Sequence, residues 1–317
     1  MGSFYGVDGK KLQRQYKTRL SDYEQWEYRK NAKQGMVFTE NIGPFLSIDE
    51  TSLSHGELYT IITNKERKGK RVSVVAILEG TKAESIIDML GKIPISKRKK
   101  VLEVTLDLAP NMSLIVRKSF PNAVLVIDRF HVQQLATEAL QEIRIKHRWQ
   151  AIDAENEAIE LAKKSKKKYN PEVLQNGDTL KQLLDRSRYV LYKNKDSWSE
   201  SQKQRAQILF EKYPDIKSAY EITRTLSDIY THTKIKIYAY TRLAKWHEMV
   251  DKSGFKSFNT ISKTIINNYK HILNYFNNRS TNASAESFNA KIKAFRSQFR
   301  GVNDINFFLF RIAKLFA

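Results

Sequence analysis

Acidic residues stand in this sequence where apolar strands give way to helices, and carboxylates gathered that way can hold a divalent cation. Asp107 follows the apolar run 101–106 (VLEVTL), and Asp128 follows the run 123–127 (AVLVI). Asp49 lies near the end of the alternating stretch 45–53 (FLSIDETSL), and His131 comes three positions after Asp128. Polar side chains at the C-terminal ends of parallel strands face the ligand crevice. Carboxylates brought together there repel one another unless a cation compensates, and oxygen donors favour Mg2+ or Mn2+. The plainer alternative is that Asp107 and Asp128 only cap the helices that follow them. These stretches alone leave both readings open.

A further carboxylate stands in residues 280–300, STNASAESFNAKIKAFRSQFR. Phe288, Ile292, Phe295 and Phe299 fall on one helical stripe, and Asn282, Glu286, Asn289, Lys293, Arg296 and Arg300 fall roughly opposite it. Glu286 is either an ordinary surface carboxylate paired with Lys293 or Asn289, or a third acid delivered to the two aspartates.

The elements that must position these residues can be read from pattern. Pro44 opens three strands, at 45–53, 58–63 and 71–78, whose short links imply an antiparallel meander. The link 64–71, NKERKGKR, is strongly basic. Thr81 and Glu84 form a capping-box pattern before a helix that ends near Gly91. A strand at 101–106, a helix from Pro110 stopped by Pro121, and a strand at 123–127 complete a βαβ unit. Three antiparallel strands followed by two right-handed crossovers is the order of a ribonuclease-H-like fold. In that order the first and fourth strands are neighbours, which sets Asp49 beside Asp107.

From Val132 to about Tyr275 the pattern is almost wholly helical. Ser199 with Gln202 makes a capping box, and 215–231 and 235–252 read as helices. A stripe runs through Phe258, Ile261, Ile265, Tyr269, Ile272 and Phe276. Trp149, Trp198 and Trp246 read as core or interface residues, 163–168 (KKSKKK) as a solvated helix end or a phosphate-binding run, and 22–33 as a helix. The expected divisions are a lead segment 1–43, the first part of an α/β core 44–131, an all-α insertion 132–279, and C-terminal helices 280–317 that complete the core.

Composition narrows the partners. The 317 residues carry 55 Lys and Arg against 34 Asp and Glu, a net charge of +21 spread along the chain, and nucleic acid is the commonest partner for such a charge. With no cysteine, disulfides, Cys-ligated zinc and thiol nucleophiles are excluded. No run is long and apolar enough for a transmembrane helix, and no membrane partner is expected.

The motifs SIDE (47–50), TLDLAPNM (105–112), VIDRFHV (126–132), NASAESFNAKIK (282–293) and FRGVNDINFFLFRI (299–312) together resemble the DDE transposases of bacterial insertion sequences, in the ISL group and its ISAon-like branch. The resemblance implies a ribonuclease-H-like (retroviral-integrase-like) catalytic core interrupted by an all-α insertion. It implies Asp49, Asp107 and Glu286 as catalytic, metal-binding acids holding two Mg2+ (or Mn2+) ions, with Asp128 and His131 in support. Lys293, Arg296, Arg300 and Asn289 would contact DNA. The implied partners are double-stranded DNA, at element ends and target, and further copies of the chain assembled on it. The implied location is cytoplasmic, at the nucleoid. Full-length relatives carry a Cys-rich zinc finger and a helix-turn-helix ahead of this core. This chain has no Cys and a short lead, so a separate N-terminal-region partner protein is expected. Two alternatives stand beside the transposase: a metal-dependent nuclease of the same fold without strand transfer, and a non-catalytic DNA-binding descendant.

Overall fold

A computed structural model describes residue 6 and residues 8–54, 56–298 and 304–317. It is a mixed α/β chain in two compact units, Met1–Asp128 with Asn278–Ala317, and Arg129–Asn277.

The first unit is built on one six-stranded sheet. Its strands are β1 (Gly35–Val37), β2 (Phe45–Ser54), β3 (Glu57–Asn64), β4 (Val74–Glu79), β5 (Glu103–Leu106) and β6 (Val124–Ile127), in the order β1-β4-β3-β2-β5-β6. β2, β3 and β4 form the antiparallel meander, and β5 and β6 run parallel to β2. The apolar runs of β4 and β6 suit strands covered on both faces. The sheet does put the first meander strand beside the first crossover strand, as the element order requires. The edge strand β1 was not anticipated. Its three residues are too few to show alternation, yet Met36 is fully buried and pairs with Ile77.

β2 is central, and the row it heads is polar although covered. Ser47 lies opposite Thr63 on β3 and Thr105 on β5, and all three are buried. Farther along the same face, Tyr59, Ile61 and Ile77 form a core with Phe288 and Ile292 of the helix Ala283–Gln298 and with Leu309 and Ile312 of the helix Ile305–Phe316. That core seats the Glu286 helix on the sheet.

Two local expectations need correction. Residues 22–33 are not a helix. A 3₁₀ turn, Asp22–Gln25, leads into further turns. Tyr23 meets Phe307 edge-on at 5.1 Å between ring centroids, Trp26 meets Phe310 at 5.3 Å, and the Tyr28 hydroxyl donates to the Val37 carbonyl at 2.7 Å. Tertiary packing of these rings overrides a weak local helix preference. Thr81 does not cap the next helix. Strand pairing continues to Gly80, whose N–H donates to the Leu58 carbonyl at 2.8 Å, so helix Ala83–Gly91 begins later, with Lys82 at its N-cap.

The second unit is helical, with Arg129–Lys164, Leu180–Tyr192, Glu200–Lys212, Pro214–His232, Lys236–Ser253 and Lys256–Leu273. The capping box of Ser199 and Gln202 is formed. Trp246 is wholly buried and its indole N–H donates to the Ile222 carbonyl at 2.9 Å, whereas Trp149 is 56% exposed and no core residue. Asp178 is the buried acid of this unit, bonded by Arg205 Nε at 2.8 Å and by Arg186.

Burial pushes the Asp178 carboxyl up, but the bonds from Arg205 and Arg186 outweigh it and leave the group below the usual carboxylate range. A depressed folded-state value stabilises above the unfolded value of about 3.9 and loses that contribution as pH falls through the folded one. Asp178→Asn should therefore destabilise the chain by on the order of 2 kcal/mol at pH 7. The difference from wild type in urea unfolding should shrink below about pH 4.

Candidate active site

The register places three aspartates in one row. Ser47 pairs with Thr105, so two residues on, past the last paired position, Asp49 comes level with Asp107. Leu106 pairs with Ile127, so one residue on Asp107 comes level with Asp128, whose N–H donates to the Leu106 carbonyl at 2.9 Å. These are the C-terminal ends of the two crossover strands and, for Asp49, the middle of the longer β2. Asp128 is fully buried; Asp49 and Asp107 are half-buried.

The segment leading into the 283–298 helix meets this row with amides. The Asn282 backbone N–H donates to Asp128 Oδ2 at 2.9 Å. Asn282 Nδ2 donates to Asp107 Oδ1 at 3.3 Å and to the Ile48 carbonyl at 3.4 Å. One helical repeat further, Asn289 Nδ2 donates to Asp49 Oδ2 at 2.6 Å. Glu286 lies between the two asparagines, exposed in the first turn, with a carboxylate oxygen within 4.8 Å of one on Asp128. Among the described residues Asp49, Asp107 and Glu286 do not form a group whose ligand atoms all lie within that mutual distance. The amides stand among the carboxylates instead, and an N–H donor stabilises an ionised acid that a second acid would destabilise.

Asn289 is where the sequence reading and the structure part. Expected on a DNA-facing surface, it is 7% exposed with its amide engaged by Asp49. A helix lying on an apolar surface would turn Asn outward, but this one crosses a polar row of sheet, which gives a buried amide a partner. Lys293 is exposed and Arg296 half-buried on the same helix; Arg300 lies outside the described residues. His131 stands in the first turn of the 129–164 helix, three residues after Asp128.

Two further acids and a lysine belong to the site and were missed. Glu50 has its carboxyl pushed up, first by burial and then by the nearby Asp107. Lys65 follows β3 directly, and its Nζ donates to Thr105 Oγ1 at 2.7 Å and to Glu103 Oε1 at 3.3 Å, on the face of β5 that ends in Asp107. The other Glu103 oxygen accepts from Asn278 Nδ2 at 3.1 Å. Burial pulls the Lys65 ammonium down, against the pull of Glu103 and Asp128 the other way. In the sequence Lys65 is one of several bases in a loop, and only its position at the strand end could have marked it. It sets a half-buried ammonium beside a row of acids.

The donor set suits a hard divalent cation, because every candidate ligand among the aspartates and Glu286 is a carboxylate oxygen. The carbonyl oxygens of Asn282 and Asn289 are buried without a hydrogen-bond partner among the described residues. Unpaired amide oxygens beside a row of carboxyl groups fit a pocket for a cation better than they fit a finished polar core.

Comparison with known proteins supplies a context for this geometry. The family model of ISL3-type DDE transposases, described as "Transposase", matches residues 46–312. A curated relative, the transposase for insertion sequence element IS1001 of Bordetella parapertussis, is 20% identical over 275 residues, which is 86% of this chain. The chain spans about three-fifths of that relative's length (61%).

The pair of half-buried Lys65 with buried Glu103 gives a test of how the row of acids is supported. Removing one partner of such a pair leaves an uncompensated buried charge, so Lys65→Met should cost about 3 kcal/mol in chemical denaturation. Adding Glu103→Gln to it should recover a substantial part of that loss.

Proposed function

The chain belongs to the ISL3 family of DDE transposases, and on that premise we propose that it cleaves and joins DNA strands at the ends of an insertion sequence. The observation that carries the reading is the row Asp49, Asp107 and Asp128 across three adjacent strands, met by the helix that bears Glu286. We read the sheet as a ribonuclease-H-like core, and the helical unit Arg129–Asn277 as an insertion between β6 and the Glu286 helix.

Asp49, Asp107 and Glu286 would hold one or two Mg2+ or Mn2+ ions through carboxylate oxygens, with Asp128 supporting from its buried place at the end of β6. When bound, such ions supply positive charge at a reacting phosphate and lower the pKa of the attacking oxygen. The residues themselves orient and hold. Asp128 fixes the start of the 283–298 helix through the Asn282 N–H, and so fixes where Glu286 comes in. His131 is read as a supporting residue that would orient a carboxylate by a hydrogen bond, not as a ligand of the ion. Lys293 and Arg296 neutralise phosphates of the DNA strand beside the acids. Hydrolysis breaks the bond between phosphorus and the 3′ oxygen at an element end, leaving a 3′ hydroxyl. In strand transfer that hydroxyl oxygen attacks a target phosphodiester, forming one P–O bond as another breaks, so no covalent protein intermediate is needed. The polyanionic substrate matches the net charge of +21.

Asp49→Asn and Asp107→Asn should each abolish cleavage of an element-end duplex in Mg2+ while leaving its binding in a filter assay nearly unchanged. Asn keeps the shape of Asp and removes the charge that holds the cation. Turnover at the wild-type rate by either variant would refute the metal reading. An oligonucleotide with a free 3′ hydroxyl end separates the transposase from a plain nuclease. Joined products are expected; hydrolysis alone would favour the nuclease.

A further inference from the structure

Asn282, Glu286 and Asn289 follow one another at intervals of four and three residues, so they form a single stripe along the helix. The two outer members of the stripe are buried and bonded to the sheet; the middle member is the exposed acid. Each bond goes to an aspartate of the row or its immediate surroundings. Asn289 reaches Asp49, and Asn282 reaches Asp107 with its side chain and Asp128 with its backbone. The apolar contacts of Phe288 and Ile292 press the helix onto the sheet but are not directional. The amide bonds are directional, and they key the helix to the row of acids.

We propose that Asn282 and Asn289 are positioning residues. They hold Asp49 and Asp107 in the rotamers that receive a cation, and fix the register that places Glu286 opposite them. The proposal rests on the reading of those three acids as cation ligands. Several observations support it. The side-chain amides of Asn282 and Asn289 engage two different strands, β2 and the end of β5, so the pair ties both aspartates to one rigid helix. Each donates to a carboxylate while its own carbonyl oxygen is left buried and unpartnered among the described residues. A buried oxygen left without a protein partner calls for a ligand or water, and a bound cation with its shell supplies one. A neutral N–H donor orients a carboxylate without adding a positive charge beside it. Lys or Arg in its place would compete with the cation for the same charge.

The test uses the full chain and Mn2+ as the probe, following loss of the free-ion electron paramagnetic resonance signal on binding. Asn282→Ala and Asn289→Ala should weaken Mn2+ binding by about 10- to 100-fold, the usual loss when a residue that orients metal ligands is removed. Cleavage by these variants should need correspondingly more Mg2+ for half-maximal rate, and recover toward the wild-type rate at saturating Mg2+. Asn289→Ser, which keeps a short donor, should bind Mn2+ between the two. Folded Ala variants with wild-type Mn2+ affinity overturn the proposal. If the wild-type chain itself binds no Mn2+, the metal reading of the acids fails first. Should the Ala variants not fold, the wild-type chain labelled with nitrogen-15 at asparagine decides. The side-chain NH2 resonances of Asn282 and Asn289 are expected to shift on adding Mg2+, and unshifted resonances at saturation overturn the proposal.

Discussion

Mutual repulsion of carboxylates is the constraint on which the sheet end depends. Register alone brings Asp49, Asp107 and Asp128 level on adjacent strands, and like charges so placed raise one another's cost unless something compensates. The compensation has layers. Amides of Asn282 and Asn289 touch the acids directly, the Asn282 N–H at the start of the 283–298 helix donates to Asp128, and the Lys65 ammonium lies farther along the same face. None of these places a second full positive charge among the acids, which is why the proposed function assigns a divalent cation to this place. This separates it from a structural ion-pair cluster such as Asp178 with Arg186 and Arg205, where two guanidinium groups answer one carboxylate.

The same constraint explains why the face of the sheet under the helix is polar where a core is expected. Ser47, Thr63 and Thr105 sit side by side and buried, with Glu103 and Lys65 at the near end. An ammonium withdrawn from solvent is stable only where acceptors converge on it, and β5 supplies them at alternate positions, Glu103 and Thr105, on the face that ends in Asp107. Apolar packing resumes only around Tyr59 and Ile61, where Phe288 and Ile292 settle. The helix is thus seated by hydrophobic contact on one flank and by amide-to-acid bonds on the other.

Much of this was legible in the sequence because strand order follows from link length and apolar runs. The meander, the two crossovers and the adjacency of Asp49 with Asp107 need no side-chain detail. What escaped depended on packing that no local pattern encodes. The strand Gly35–Val37 is defined by its pairing with β4 rather than by its three residues. Residues 22–33 owe their turns to rings of the last helix, far along the chain. A periodicity argument divides a helix into one apolar and one polar face, and so turns Asn289 outward. A helix that lies across a polar row buries part of both. The signal was present in the spacing of Asn282, Glu286 and Asn289, which share a stripe. Lys65 was hidden in a basic run where composition favours solvent.

The central claim is that Asp49, Asp107 and Glu286 hold a divalent cation at the end of the sheet. Diffraction from crystals soaked in Mn2+, with data collected at the manganese absorption edge, tests it most directly. The account predicts anomalous density between Asp49 and Asp107 with a Glu286 oxygen in its coordination shell. Density confined to other surface acids, with these three carboxylates still bonded only to protein groups, would contradict it.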